Sequence, residues 1–162
     1  MTDQALTPGA VSDHAEPLID PMELEAIIVE VLDALVMNAG MDLDTPIPDE
    51  PGVDASPIHG TIVVHADTEA MLVIETDAQV CAKLARCWGL IGDDGATTQD
   101  ATDALGELCN LVGATVKTVF EEESHVGIPE VVNGPAPAWD VEDVPVFHAT
   151  GQFTARFGPN QA

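Results

Sequence analysis

Apolar and polar positions along this 162-residue chain follow two rhythms, one of three to four residues and one dominated by β-branched runs. Asp20, Pro21, Glu23 and Glu25 stand ahead of and within an apolar stretch that runs to Met37. A capping carboxylate, a proline at the first helical position and acids in the first turn predict a helix over 21–37, ending near Gly40. Ile58–Ala66 and Ala70–Thr76 are rich in β-branched residues around Asp67–Glu69, which predicts a hairpin. Asp77 is placed to cap a short helix whose apolar positions Val80, Leu84, Cys87 and Trp88 recur at helical spacing, ending at Gly89. A longer helix is expected from about Thr97 or Thr98 to Phe120, frayed where Glu121, Glu122 and Glu123 oppose its dipole. Strands over 126–132 and 144–157 follow, the second broken into a hairpin at Thr150-Gly151.

Helix, two strands, two helices and three strands, with hairpins dominating, exclude a doubly wound sheet. They predict an α+β fold in which an antiparallel sheet packs against long helices. Residues 1–20 lack periodicity and read as a solvated acidic tail, 21–158 as one domain and 159–162 as a short C-terminal tail. Pro46, Pro48, Pro51 and Pro57 with interspersed acids make the segment between Asp42 and Pro57 a long acidic loop.

Composition narrows the partners. Twenty-nine acidic residues face only Lys83, Arg86, Lys117 and Arg156, for a formal net charge of −25. Such a surface repels nucleic acid and anionic lipid, whose binding requires cationic side chains. No apolar run reaches the roughly 18 residues of a membrane span, so a soluble protein is expected. Cys81, Cys87 and Cys109 form an odd set without a Cys-x-x-Cys pair, which suits a reducing cytoplasm. His59 and His65 share strand parity but lie about 20 Å apart in an extended strand, too far for one metal, and read as sheet-surface or edge residues. His125 and His148 lack a partner at ligand spacing, and no metal site is expected.

The chemistry concentrates on the long helix. Asp103, Glu107 and Asn110 stand at i, i+4 and i+7, within roughly 60° of one another, while Leu105, Leu108, Cys109, Val112, Val116, Val119 and Phe120 gather opposite. Like charges one turn apart disfavour an isolated helix by a few tenths of a kcal/mol, so helix stability alone does not explain Asp103 above Glu107. Gly106, Gly113 and Ala114 beside this face would admit another protein's backbone, although close internal packing is the alternative reading of the two glycines. Lys117 is the nearest cation and is placed to hold Glu121 or touch a partner.

The run Asp103-x-x-x-Glu107-x-x-Asn110, followed by Leu111-Val112-Gly113, resembles the signature of the CheX/CheC phosphatases of chemotaxis signalling. Gly127–Gly134 is similar to that family's proline-containing strand, and 144–157 to its closing hairpin, so the likeness covers about residues 20–158. The first helix has Val31 where a second signature of that family needs Asp or Ser and Leu35 where it needs Glu, which leaves one site and a CheX-like chain. The resemblance implies a CheC-like fold, a homodimer, and hydrolysis of the aspartyl phosphate on a phosphorylated receiver domain. It implies Glu107 and Asn110 as the working pair, Glu107 meeting the regulator's lysine; a carboxamide such as Asn110 suits the placing of a water. Asp103, Gly106, Ala114 and Lys117 are expected to support the site or touch the partner. No cofactor of its own is expected, the regulator carrying its Mg²⁺. A non-catalytic module that binds a receiver or a flagellar switch component through the same face is the alternative.

Overall fold

The computed structural model describes residues 18–120 and 123–160. Helix α1, Pro21–Asn38, begins where the Asp20 carboxylate accepts the Met22 N–H at 2.8 Å. Leu24, Ile28, Leu32 and Val36 recur on one face and are buried, each contributing about 1.5–3 kcal/mol of apolar transfer. The core also reaches back further than the predicted tail boundary: Ile19 is buried and Leu18 packs against it. Residues 1–17, the rest of that expected tail, lie outside the described residues.

Strands β1 (Pro57–His65) and β2 (Ala70–Asp77) form the expected hairpin, with Ile62 opposite Leu72. Asp77 then accepts the Val80 N–H at 2.9 Å and starts α2, Ala78–Cys87. The long helix α3 spans Thr98–Phe120, packs on α2 and crosses β1. Glu121 and Glu122, expected to fray its end, lie outside the described residues.

The single strand expected over 126–132 is instead two short ones, β3 (His125–Val126) and β4 (Glu130–Asn133), both antiparallel to β1. Val64 pairs with Val126 and Thr61 with Glu130, so two residues of β1 face the three residues Gly127, Ile128 and Pro129. One extra residue makes a bulge, where Pro129 offers no N–H to the ladder. Gly127 still donates to the Val63 carbonyl at 2.8 Å.

Strands β5 (Val144–His148) and β6 (Gly151–Pro159) close the chain around Ala149-Thr150, one residue earlier than the expected turn. The order β3-β1-β2-β6-β5, with β4 also on β1, gives a six-stranded antiparallel sheet. Strand β6 runs through Pro159, and Asn160 donates its backbone N–H to the Glu69 carbonyl, so the expected tail at 159 begins inside ordered structure.

The three helices cover one face of the sheet, and the segment 134–143 crosses the other. There the Ala136 N–H donates to Glu75 and Val141 sits against Gly158. The acidic loop before β1 is fastened rather than loose. Ile47 and Val53 are buried, Gln79 donates to the carbonyls of Glu50 and Val53, and Arg86 grips the buried Glu50 carboxylate with two bonds. Among the described residues no helix is long and apolar enough to cross a membrane.

Candidate functional site

Helix α3 starts with a reciprocal cap. The Thr97 hydroxyl accepts the Asp100 N–H at 3.1 Å, and the Asp100 carboxylate accepts the Thr97 N–H at 2.9 Å, which satisfies two of the donors a helix start leaves open. Thr97 rather than Thr98 is therefore the cap. From there the apolar stripe Ala104, Leu105, Leu108, Cys109, Val112 and Val116 turns inward and is buried.

Its counterpart, Asp103, Glu107, Asn110 and Ala114, is exposed along one ridge. Beside that ridge is a shallow depression of about 310 Å³, lined by Thr102, Asp103, Gly106, Glu107 and Asn110 from α3 and by Pro129 and Val131 from the bulged strand. Asp103 is already engaged, accepting from the Gln99 side chain at 2.8 Å. Glu107 and Asn110 have no side-chain partner among the described residues. A carboxylate and a carboxamide one turn apart thus face outward with their full bonding capacity unspent.

The two glycines of the helix differ. A Cβ on Gly113 would come within 3.3 Å of Ile62 and Val126, so Gly113 serves the contact between helix and sheet. A Cβ on Gly106 would meet Val131 at 3.8 Å and Pro129 at 4.0 Å, which is ordinary contact. Internal packing therefore does not demand glycine at 106, and its openness faces the depression. Lys117 is half-buried and donates to the Ser124 carbonyl at 3.4 Å; Glu121, its expected acidic partner, lies outside the described residues.

The strand that completes the depression owes its position to Gly60. A Cβ there would lie 2.6 Å from the Cys109 sulfur and 3.2 Å from Leu105, so only glycine lets α3 rest this low on β1. Val131 pairs with Gly60 and Val126 with Val64, and both valines turn toward α3 although they stand an odd five positions apart. The bulge makes that parity possible.

A sequence profile of the family described as "Chemotaxis phosphatase CheX" matches residues 58–148, more than half of the chain. The chain belongs to that family. The match takes in β1, the ridge of α3, the bulged strand and β5. The fold is shared with the chemotaxis protein CheX of Vibrio vulnificus, at a TM-score of 0.61 and 17% identity over 89% of this chain and 100% of that one. It is also shared with CheX of Desulfovibrio desulfuricans, at 0.57 and 17% over 85% and 99%. The CheX of Borrelia burgdorferi, solved as a CheX-CheY-BeF3-Mg complex, superposes at 0.54 with 11% identity over 88% and 99%. No curated protein sequence matches.

Other reactive side chains lie apart from the ridge. Burial pushes the Cys109 thiol up to about 12, and burial with Asp77 nearby also raises that of Cys81. Neither is a nucleophile at neutral pH. His59, expected at the sheet surface, is buried and its Nδ1 bonds the Gly134 carbonyl at 2.9 Å, because the 134–143 segment covers it. His148, expected without a partner, meets Asp33 of α1 at 2.7 Å through Nε2. Its Nδ1 accepts the Thr150 N–H, so the Nε2 proton is the one donated to Asp33. His65 stacks on His125 and bonds Glu69, whose carboxyl is held below its usual range by Asn160 and His65. Among the described residues no three His, Cys, Asp or Glu converge as a metal site.

Thr102, Pro129 and Val131 are the lining residues that sequence reasoning gave no part in the site. The signal for Pro129 and Val131 was present as the proline strand after the helix, but its pairing with β1 under Gly60 is what brings it beside Gly106.

Proposed function

We propose that this chain hydrolyses the aspartyl phosphate of a phosphorylated response regulator, with Asn110 and Glu107 as the working residues. The observation that carries the reading is the pairing of an unengaged carboxamide with an unengaged carboxylate on an exposed ridge beside a depression. Membership of a phosphatase family supports it. So does the Borrelia burgdorferi neighbour, in which a CheX of this fold is bound to CheY with BeF3 and Mg.

An acyl phosphate is already activated, so the reaction needs a water in line with the bond to be broken and little else. The Asn110 side-chain carbonyl accepts a hydrogen bond from that water and turns its oxygen toward phosphorus, both water protons leaving with the phosphate. As the water oxygen bonds phosphorus, the bond to the aspartyl oxygen breaks, leaving inorganic phosphate and a free aspartate on the regulator. Glu107 would be repelled by the phosphoryl group but attracted to the regulator's lysine, and that pairing fixes Asn110 over the reaction centre. Asp103, held by Gln99, supports the ridge; Gly106 and Ala114 leave room for the regulator's backbone. Lys117 supports the end of the ridge through Ser124. Mg²⁺ belongs to the regulator and reaches the site with it.

A cytoplasmic homodimer belongs to the same proposal, and the buried free thiols fit a reducing compartment. Sedimentation equilibrium is expected to give twice the chain mass of 17.0 kDa. The catalytic test uses a receiver domain loaded from acetyl phosphate. Asn110→Ala is expected to lower kcat by roughly 100-fold, the usual size for losing a positioned polar group. Glu107→Gln is expected to fall chiefly on KM. An Asn110→Ala protein as fast as the parent overturns the assignment, and receiver binding without any acceleration by the parent identifies a docking module instead.

A further inference from the structure

On the flank of α3 away from the depression lies a second concavity, an apolar groove of about 400 Å³. Val31 and Leu35 of α1, Cys87 and Trp88 at the end of α2, and Leu111 and Thr115 of α3 form most of its wall. None of its lining residues is charged, in a chain of formal net charge −25. Leu111 directly follows Asn110, and at about 100° per residue Leu111 and Thr115 fall on one side of the polar ridge while Gly106 and Gly113 fall on the other. Groove and depression therefore run along opposite sides of one helix. Leu111 itself is 39% exposed, a large apolar side chain left partly uncovered one residue from the water-placing amide.

We propose that this groove receives an apolar side chain of the phosphorylated response regulator, which docks across α3 with its phosphoryl group at Asn110 and its anchor between α1 and α3. The inference rests on the phosphatase reading of Asn110 and Glu107. Charge and size both select this occupant. A protein-bound phosphoryl group carries about −1.5 to −2, and it must approach a protein whose own charge has the same sign, so uncharged surface beside the Asp103 and Glu107 ridge favours the contact. The groove is such a surface and is continuous with the site. Size favours the same occupant. A specific contact covers roughly 600–800 Å² on each partner, whereas a helix is only about 10 Å across. A regulator centred on Asn110 therefore overlies both flanks of α3. One desolvated apolar anchor beside a polar contact is the arrangement in which interface energy concentrates. A second copy of this chain has no phosphoryl group to place at Asn110 and is the weaker occupant of a groove beside that residue.

Steady-state dephosphorylation of an acetyl-phosphate-loaded receiver tests this with Ala34→Glu and Thr115→Glu, both at exposed helical positions on the groove wall. Circular dichroism checks that each folds. Each is expected to raise KM by about tenfold or more, whereas Asn110→Ala loses kcat. Phe147→Glu places the same added charge on β5, where the side chain is 68% exposed on the other face of the sheet, and is expected to leave KM within about twofold. Unchanged KM in both groove variants overturns the proposal, as does an equal rise in Phe147→Glu, which would make net charge the cause. Dissociation of a dimer by Ala34→Glu with KM unchanged also overturns it and assigns the groove to a second copy. If Asn110→Ala proves as active as the parent, the catalytic assignment falls, and calorimetric titration with a beryllium-fluoride-loaded receiver then decides the groove alone. Binding lost in Ala34→Glu sustains it, and binding retained removes it.

Discussion

Gly106 and Gly113 occupy equivalent positions on one helix and do different things. A methyl group at 106 fits its own protein, since Val131 and Pro129 would stand at 3.8 and 4.0 Å. Gly106→Ala is therefore expected to raise stability by up to about 1 kcal/mol, the helix-propensity gain, while lowering kcat/KM because the methyl enters the space the regulator needs. A thermal melt and the dephosphorylation assay on one preparation check both halves, and an unimpaired rate would remove Gly106 from the site. Gly113→Ala gains the same propensity but presses Ile62 and Val126, so no net stabilisation is expected there. The thiols make a pH prediction. Cys109, raised to about 12, and Cys81, also raised, hold their protons more tightly folded than unfolded. Their contribution to stability is then full below the unfolded thiol range near 9.0 and is lost as pH climbs toward about 12. Urea midpoints measured from neutral to strongly alkaline pH should fall across that window, and fall less steeply in Cys81→Ala/Cys109→Ala.

Between elements, the decisive contact is α3 against β1 at Gly60. Gly60→Ala drives a Cβ to 2.6 Å from the Cys109 sulfur and is expected to cost about 1–3 kcal/mol through overpacking. Cys109→Ala removes that sulfur, so the double variant should be more stable than the two single losses add up to, with Leu105 at 3.2 Å limiting the rescue. A denaturant double-mutant cycle measures the coupling, and strict additivity would mean that the two residues do not meet. At the start of the same helix, Thr97→Ala removes half of a reciprocal cap and should cost about 1 kcal/mol. What the chain discloses about such elements depends on whether one period rules a segment. Helix α1, the β1–β2 hairpin and α2 each keep a single rhythm and carry their caps in sequence, so Asp20 and Asp77 stand where they are expected. The stretch from His125 to Asn133 does not. Strict alternation would place Val126 and Val131 on opposite faces, and the extra residue at 127–129 puts both against α3. The ridge of Asp103, Glu107 and Asn110 is local to one helix and therefore visible, whereas the wall of Pro129 and Val131 comes from pairing across the sheet. His59 misleads for a related reason, since the segment that buries it starts some seventy-five residues later.

For the molecule as a whole, charge outweighs every other surface property. All four basic side chains are engaged within the fold: Lys83 with Asp49, Arg86 with Glu50, Arg156 with Asp143 and Glu75, and Lys117 with the Ser124 carbonyl. No cation is left over to offset the remaining carboxylates, so self-repulsion opposes compactness and approach of an acidic substrate alike. Raising NaCl from about 0.05 to 0.5 M shortens the screening length several-fold and should raise both the melting temperature and kcat/KM; a rate that falls with added salt would show that repulsion is not limiting. The same scarcity of cations governs how the protein meets a protease. Trypsin can cut only after Lys83, Arg86, Lys117 and Arg156, and every one of these positions lies inside a helix or strand. The folded chain should survive prolonged trypsin treatment. Even after denaturation no cut falls within residues 1–82, so that stretch stays on one large acidic fragment that ordinary tryptic mass spectrometry detects poorly. A Glu-specific protease, with many sites before Lys83, would recover it as shorter peptides.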